Sequence, residues 1–270
     1  MQLEKKIFLK ILIISTLSIF LISCKKEIYL DLRTVEPILV VAAEISQNNA
    51  AEVKLTQTKG FYQPNIFPTI TDAKVILSNS SGQSEELTVV NDSIYKSKII
   101  KGEINSTYYL SINYKNKIYT ATSILYPPVK LDSVVAKIIQ PKYPPYFQAY
   151  WQDPKGKEID YYRFRVLIND SVKVKEKFMF SADIFDGEYL SMPIMIPERN
   201  QNDEPTFLPG DLIRFTMQTL DRATGEYFTF LSNQSKTNPP SNILGGALGY
   251  FSAYSVSSAT AIAPEWEWKK

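Results

Sequence analysis

The residue types in this chain leave few routes to chemistry. Its 270 residues include one cysteine, Cys24, and no histidine. Without histidine there is no Ser-His-Asp or Cys-His nucleophilic site, no imidazole base and no zinc site built on imidazole. Carboxylate chemistry, calcium held by oxygen ligands, and binding without chemistry remain. Asp183, Asp186 and Glu188 flank Gly187 at a spacing that suits calcium. The run does not match an EF-hand loop, and Asp-Gly is a common hairpin turn, which is the favoured reading. Asp153 with Asp160, or Asp203 with Glu204, supplies the residue types of a glycosidase acid and base. That chemistry needs two carboxyls roughly 5 to 10 Å apart in a cleft, and solvated turns are the blander expectation. Tyr143, Tyr146, Phe147, Tyr150 and Trp151 form an aromatic cluster suited to stacking on sugar rings or lining a partner groove. Alternating aromatics in a β protein more often fill a core, and Trp266 and Trp268 are similarly ambiguous. The glycine-rich tail Gly245-Gly246-Ala247-Leu248-Gly249 lacks the Lys-Ser/Thr of a phosphate loop. It is read as a structural turn or a partner contact. No catalytic residue and no cofactor is expected.

Cys24 has a more specific context. Lys5, Lys6 and Lys10 precede or interrupt an apolar run from Ile7 to Ile22, and Ser23 stands just before the cysteine. A basic start, a short apolar core and a small residue at the exit is the layout of a secretory signal peptide. The core is short for a membrane-spanning helix, which needs about 20 residues. Leu21-Ile22-Ser23-Cys24 resembles the lipobox of bacterial lipoproteins, in which the thiol is acylated and the leader is cut away before it. Stable anchoring needs more than one acyl chain, and the resemblance implies three. An exported protein with a single cysteine has no disulfide to form within the chain, so acylation accounts for the lone thiol. The expected segments are a leader over 1–23 and a tether over 24–37. Lys25, Lys26 and Glu27 in the tether resemble, in part, a surface-export signal.

Composition bounds the rest. The precursor has 30 basic and 28 acidic residues; a leader carrying three lysines and one glutamate leaves 27 of each. A mature chain without net charge has no global field to gather nucleic acid. With 17 Tyr and 14 Phe among abundant β-branched residues, strands are favoured. Turn signals such as Asn79-Ser80-Ser81-Gly82, Asn91-Asp92 and Lys115-Asn116 separate short strand-like runs from Ile38 to Thr122. This rhythm predicts an all-β chain that opens with an immunoglobulin-like β-sandwich over 38–126. Tyr126-Pro127-Pro128 is a stiff break. A second β-rich, sandwich-like domain is expected over 131–270, with its clearest strand at Asp160 to Asn169. Glu226 to Ser232 reads as a strand or a short helix.

Several stretches together carry a family resemblance: Leu39-Val40-Val41, Phe61-Tyr62 before Ala73-Lys74-Val75, Tyr108-Tyr109-Leu110, Asp153 to Val166, and Asn242-Ile243-Leu244-Gly245-Gly246 through Tyr250-Phe251. In this order, behind the lipobox, they resemble the Bacteroidota lipoprotein family known as domain of unknown function 4249. The resemblance implies a cell-envelope lipoprotein, often encoded near TonB-dependent outer-membrane transporters, with no established activity and only Cys24 to carry over. The expectation is an outer-membrane, lipid-anchored, non-enzymatic binding or accessory subunit, facing the surface or the periplasm. A structural or adhesive envelope protein without a transporter partner is the alternative.

Overall fold

The computed structural model describes residues 36–60, 63–64, 66–91, 93–140, 143–156, 161–171, 178–200, 202–232 and 237–266. The leader, Cys24, nearly all of the tether, Asp160 and Trp268 lie outside them. Fifteen strands and one helix follow in order among the described residues. They are β1 (Leu39–Ser46), β2 (Ala50–Gln57), β3 (Lys74–Asn79), β4 (Ser84–Glu86), β5 (Thr88–Asn91), β6 (Ile94–Lys101), β7 (Ser106–Tyr114) and β8 (Lys117–Leu125). Then come β9 (Leu131–Lys137), β10 (Tyr146–Gln152), β11 (Tyr161–Ile168), β12 (Phe178–Ser181), β13 (Tyr189–Ile194), β14 (Leu212–Leu220), α1 (Arg222–Ser232) and β15 (Leu248–Ile262). The chain is all-β, as its composition and turn spacing predict.

Alternation places each strand. In β1, Leu39, Val41, Ala43 and Ile45 are buried while Val40, Ala42 and Glu44 are half-buried. In β2, Ala51, Val53 and Leu55 face the same core and Glu52 and Lys54 face out. Side chains two apart share a face, so each strand gives one face to the core. The β7–β8 hairpin turns at Lys115 and Asn116, with φ of 50° and 58°. Positive φ at both central residues is the two-residue hairpin turn whose twist matches the strands.

Two cores form. The first lies between β1, β2 and β6 of one sheet and the four-stranded sheet β4-β3-β7-β8, and includes Val41, Val53, Val75, Leu77, Tyr95, Tyr108 and Leu110. The second lies between β11 and β14 and the three-stranded sheet β13-β10-β9, around Phe147, Trp151, Tyr162, Phe164 and Phe215. Sequence reading ended the first unit at 126, and the structure adds a later segment to it. Ile243, Ala247, Phe251 and Ala253 pack in the first core. β15 joins the two halves into one eight-stranded sheet, ordered β12-β11-β14-β15-β1-β2-β6-β5. Its beginning pairs parallel with β1, from Val40↔Leu248 to Ser46↔Tyr254. Its remainder pairs antiparallel with β14, from Leu220↔Tyr254 to Leu212↔Ile262.

The glycine-rich tail therefore leads into the longest strand. Its strand character is hidden by Ser252, Ser255, Ser257, Ser258 and Thr260, small polar residues that a hydrophobic pattern does not register. Gly249 has φ +101°, and a Cβ there would stand 1.8 Å from the Val41 carbonyl oxygen. Only glycine admits that approach.

Asp221 ties the halves again where β14 meets α1. Its Oδ1 accepts from the Thr224 N–H at 2.8 Å, an N-cap for α1. Its Oδ2 accepts from the Ser123 hydroxyl of β8 and from the Ile124 N–H at 3.1 Å. Ser123 Oγ accepts in turn from the Ala253 N–H of β15 at 2.7 Å. The segment read from sequence as strand or short helix is this capped helix.

Candidate functional site

The structure separates the aromatic cluster by strand parity. Phe147, Ala149 and Trp151 point inward from β10 and are wholly buried. Trp151 packs against Tyr162, Phe164 and Phe180, with ring centroids 5.1–5.4 Å away. It is a core residue and cannot serve as a contact residue, because sheet packing covers its ring. Tyr146 and Tyr150 alternate on the outer face, half-buried. Tyr150 lies beside Tyr189 of β13, rings near-parallel at 16° and 6.3 Å apart. Tyr143, before the strand, is exposed. The accessible remnant is thus Tyr143 before the strand and Tyr146, Tyr150 and Tyr189 on the three-stranded sheet, with Lys137 of β9 paired to Tyr146. Trp266 is buried against Phe207, centroids 5.2 Å apart.

Among the described residues the carboxylate candidates do not converge. Asp183 accepts from the Tyr161 hydroxyl at 2.9 Å, from Ser181 Oγ at 2.9 Å, and from Arg222 Nη2 at 3.0 Å. Burial pushes its pKa up, but these donors and the Arg222 charge outweigh that and hold it below the usual range. Asp186 turns to the Gly156 N–H at 2.6 Å. The Gly187-Glu188 step takes part in the turn through its backbone, the Glu188 carbonyl accepting from the Asp153 N–H at 2.9 Å. Gly187 has φ +74°. Among the described residues no three carboxylates gather: Asp183 turns to Tyr161 and Arg222, and Asp186 to Gly156, within one turn.

Asp153 is buried beside that turn. Its Oδ1 accepts from the Tyr162 hydroxyl at 2.6 Å and its Oδ2 from the Gly187 N–H at 3.1 Å. Burial raises its pKa against the opposing effect of those donors. Asp160 lies outside the described residues. Asp203 sits in an exposed turn near Arg199 at 3.6 Å, and Glu204 accepts from Asn200 Nδ2 at 3.1 Å. Asp203 and Glu204 therefore lie in a solvated turn and not in a cleft.

Sequence reasoning missed a buried polar cluster that spans four strands and the helix. Arg163 of β11 is wholly buried, on the face of the eight-stranded sheet away from the second core. Its Nε–H donates to Gln218 of β14 and its Nη2–H to Glu44 of β1 at 3.3 Å. Tyr250 and Tyr254 of β15 donate to the two Glu44 oxygens at 2.9 and 3.2 Å. The guanidinium lies 3.9 Å from the centroid of the Phe228 ring on α1. Burial, then the neighbouring carboxylate, pushes the Tyr254 hydroxyl up to about 12 and raises that of Tyr250 further. Both tyrosines stay protonated donors. The group holds a charge pair in place and offers no nucleophile. Glu44 reaches solvent at a cleft of about 250 Å³ shared with Ser46, Asn49, Glu52 and Lys96. Arg163 is spaced as an outer-face residue of its strand; the covering helix and its carboxylate partner, 119 residues away, left no local signal.

No described helix is long and apolar enough to cross a membrane. A family model described as "Domain of unknown function (DUF4249)" matches residues 25–260. A search of the curated proteins finds no match. Among solved structures, the chicken CNTN1 FN1-FN3 domains are similar at 12% identity and a TM-score of 0.29. The alignment covers 83% of this chain and 66% of that one.

Proposed function

The chain belongs to the DUF4249 family, and from that premise we propose that it is a lipid-anchored, non-catalytic binding or accessory subunit of a TonB-dependent uptake system at the outer membrane. The observation that carries this reading is Cys24, the single cysteine, directly after Ser23 at the end of a short apolar run. Acylation there tethers residues from Glu36 onward to a membrane. The outward tyrosines Tyr146, Tyr150 and Tyr189 offer flat amphipathic rings of the kind that recur at interfaces. The scattered carboxylates support a binding role over hydrolysis.

A tagged chain purified in mild detergent is expected to bring a TonB-dependent transporter with it. Recovery of the chain alone from cross-linked membranes would falsify the accessory role. Cys24→Ala protein is expected to keep its leader and to lack the mass of the acyl chains, which mass spectrometry reads directly. A structural or adhesive role without a transporter is favoured instead if a deletion strain keeps its nutrient uptake and loses surface adhesion.

A further inference from the structure

We propose that one pole of the first sandwich rests directly on the lipid surface, as a second contact beside the acyl anchor. This rests on the lipid-anchor reading above. At this pole β1 begins, β2 ends and the β7–β8 hairpin turns. The Gln57 amide donates to the Tyr114 hydroxyl at 3.2 Å, and the Gln57 N–H to the Pro68 carbonyl at 3.0 Å. Leu244 bridges to Thr120 of β8. The loop before β3, the hairpin tip and the segment before β15 therefore share one end of the molecule.

That end is unusually apolar for its exposure. Ile66 is 78%, Phe67 54%, Ile118 62% and Leu244 69% exposed. Four large apolar side chains from three separate segments, all turned to solvent, mark an interaction surface. Basic groups ring them. Lys115 and Lys117 hold their ammonium groups 5.2 and 5.3 Å from the ring centroids of Tyr114 and Tyr119, and Lys59 lies 5.7 Å from that of Phe67. Ammonium groups held over aromatic rings beside exposed apolar side chains suit a membrane interface, where basic and aromatic side chains share the headgroup level. An open cleft of about 550 Å³ beside the hairpin is lined by Glu36, Gln57, Tyr114, Lys115 and Lys117, among others. Two of its three charged residues are basic.

The occupant is fixed by what leaves this end. Glu36 lines the cleft, and the chain from Cys24 arrives there. A tether of that length spans at most about 40 Å when fully extended. The pole is therefore held at high effective concentration near the bilayer, so a weak intrinsic affinity suffices for contact. Apolar tips with lysines behind them fit the interface of a bilayer bearing anionic headgroups. The opposite pole, where β1 ends and β6 finishes, presents Ile99 instead.

The test uses the full lipidated chain. Its own thiol is blocked by acylation, so Ile118→Cys or Ile99→Cys supplies a unique labelling site for a bimane fluorophore. The protein is reconstituted into vesicles of phosphatidylethanolamine and phosphatidylglycerol whose acyl chains carry doxyl quenchers. Label at 118 is expected to be quenched several-fold more than label at 99, and the excess to shrink in a Lys115→Glu/Lys117→Glu background. Leu244→Cys repeats the test should the hairpin variant fold poorly. Protein that floats with the vesicles yet shows equal, weak quenching at all positions overturns the proposal and leaves the anchor standing. Protein that does not float at all overturns both.

Discussion

Arg163 and Glu44 meet across two intervening strands, Nη2 to Oε1 at 3.3 Å, with β14 and β15 between them in the sheet. The arginine side chain is wholly buried and the glutamate only partly exposed, at 28%. Removing one partner of such a pair strands the other charge. Glu44→Gln is therefore expected to lower the unfolding free energy by about 3 kcal/mol, at the weaker end for buried pairs because water reaches Glu44. The urea midpoint should fall with unchanged slope. Adding Arg163→Met should recover part of the loss, since an uncharged pair leaves nothing stranded. An unmoved midpoint in the single variant would remove the pair from any account of stability.

Trp151 and Tyr150 are sequence neighbours with opposite duties. Trp151→Ala is expected to cost about 4 kcal/mol, because it opens a cavity among Tyr162, Phe164 and Phe180. Tyr150→Ala should shift the melting temperature little and weaken partner recovery in the pull-down. Equal destabilisation by the two changes would contradict the inward and outward assignment.

Gly249→Ala tests the parallel joint between β1 and β15. The new methyl would meet the Val41 carbonyl at 1.8 Å, on a backbone with φ +101°. Strain and displacement together predict a loss of about 3 kcal/mol or more. Gly82→Ala is the control: its φ is +87° but nothing lies within 4 Å of the added carbon. Its cost should be about 1 kcal/mol, from conformation alone. Similar losses at the two sites would show that the close approach does not matter.

Glu85 links stability to pH. Its carboxylate accepts from the N–H groups of Lys98, Ile99 and Ile100 at 2.6, 3.0 and 2.9 Å. Burial raises its pKa, but the three donors and the Lys98 charge prevail and hold it below 4.5. Over that range the unfolded chain binds the proton more readily than the folded one. The stabilisation is thus complete above the unfolded value and drains away as pH falls through the folded one. Glu85→Gln should cost about 1 kcal/mol near neutrality, with the gap to the parent closing below pH 4.5. A gap that stays constant in acid would show that the charge is irrelevant.

Much of the strand content was legible in the sequence. Alternation in β2 and β11, and turn chemistry at Lys115-Asn116, are local properties that need no knowledge of the fold. Parity along β10 even contained the signal that separates Trp151 from Tyr146 and Tyr150, because residues two apart share a face. Two things were not legible. β15 is written in serine, threonine and alanine, whose burial depends on β1 and β14 lying beside it. The Glu44–Arg163 pair joins residues whose own neighbourhoods give no hint of each other. Sheet order decides both, and strand order is a long-range property.

β15 also sets a timetable. As the polypeptide is made, β1 emerges early with one flank bare, and its parallel partner arrives 208 residues later, the offset between Val40 and Leu248. Contacts so distant along the chain form slowly, and an uncapped flank meanwhile invites mispairing with other chains. The first half of the protein must therefore wait, half-finished, for its last strand. A premature stop anywhere before residue 248 would be felt at the opposite end of the molecule.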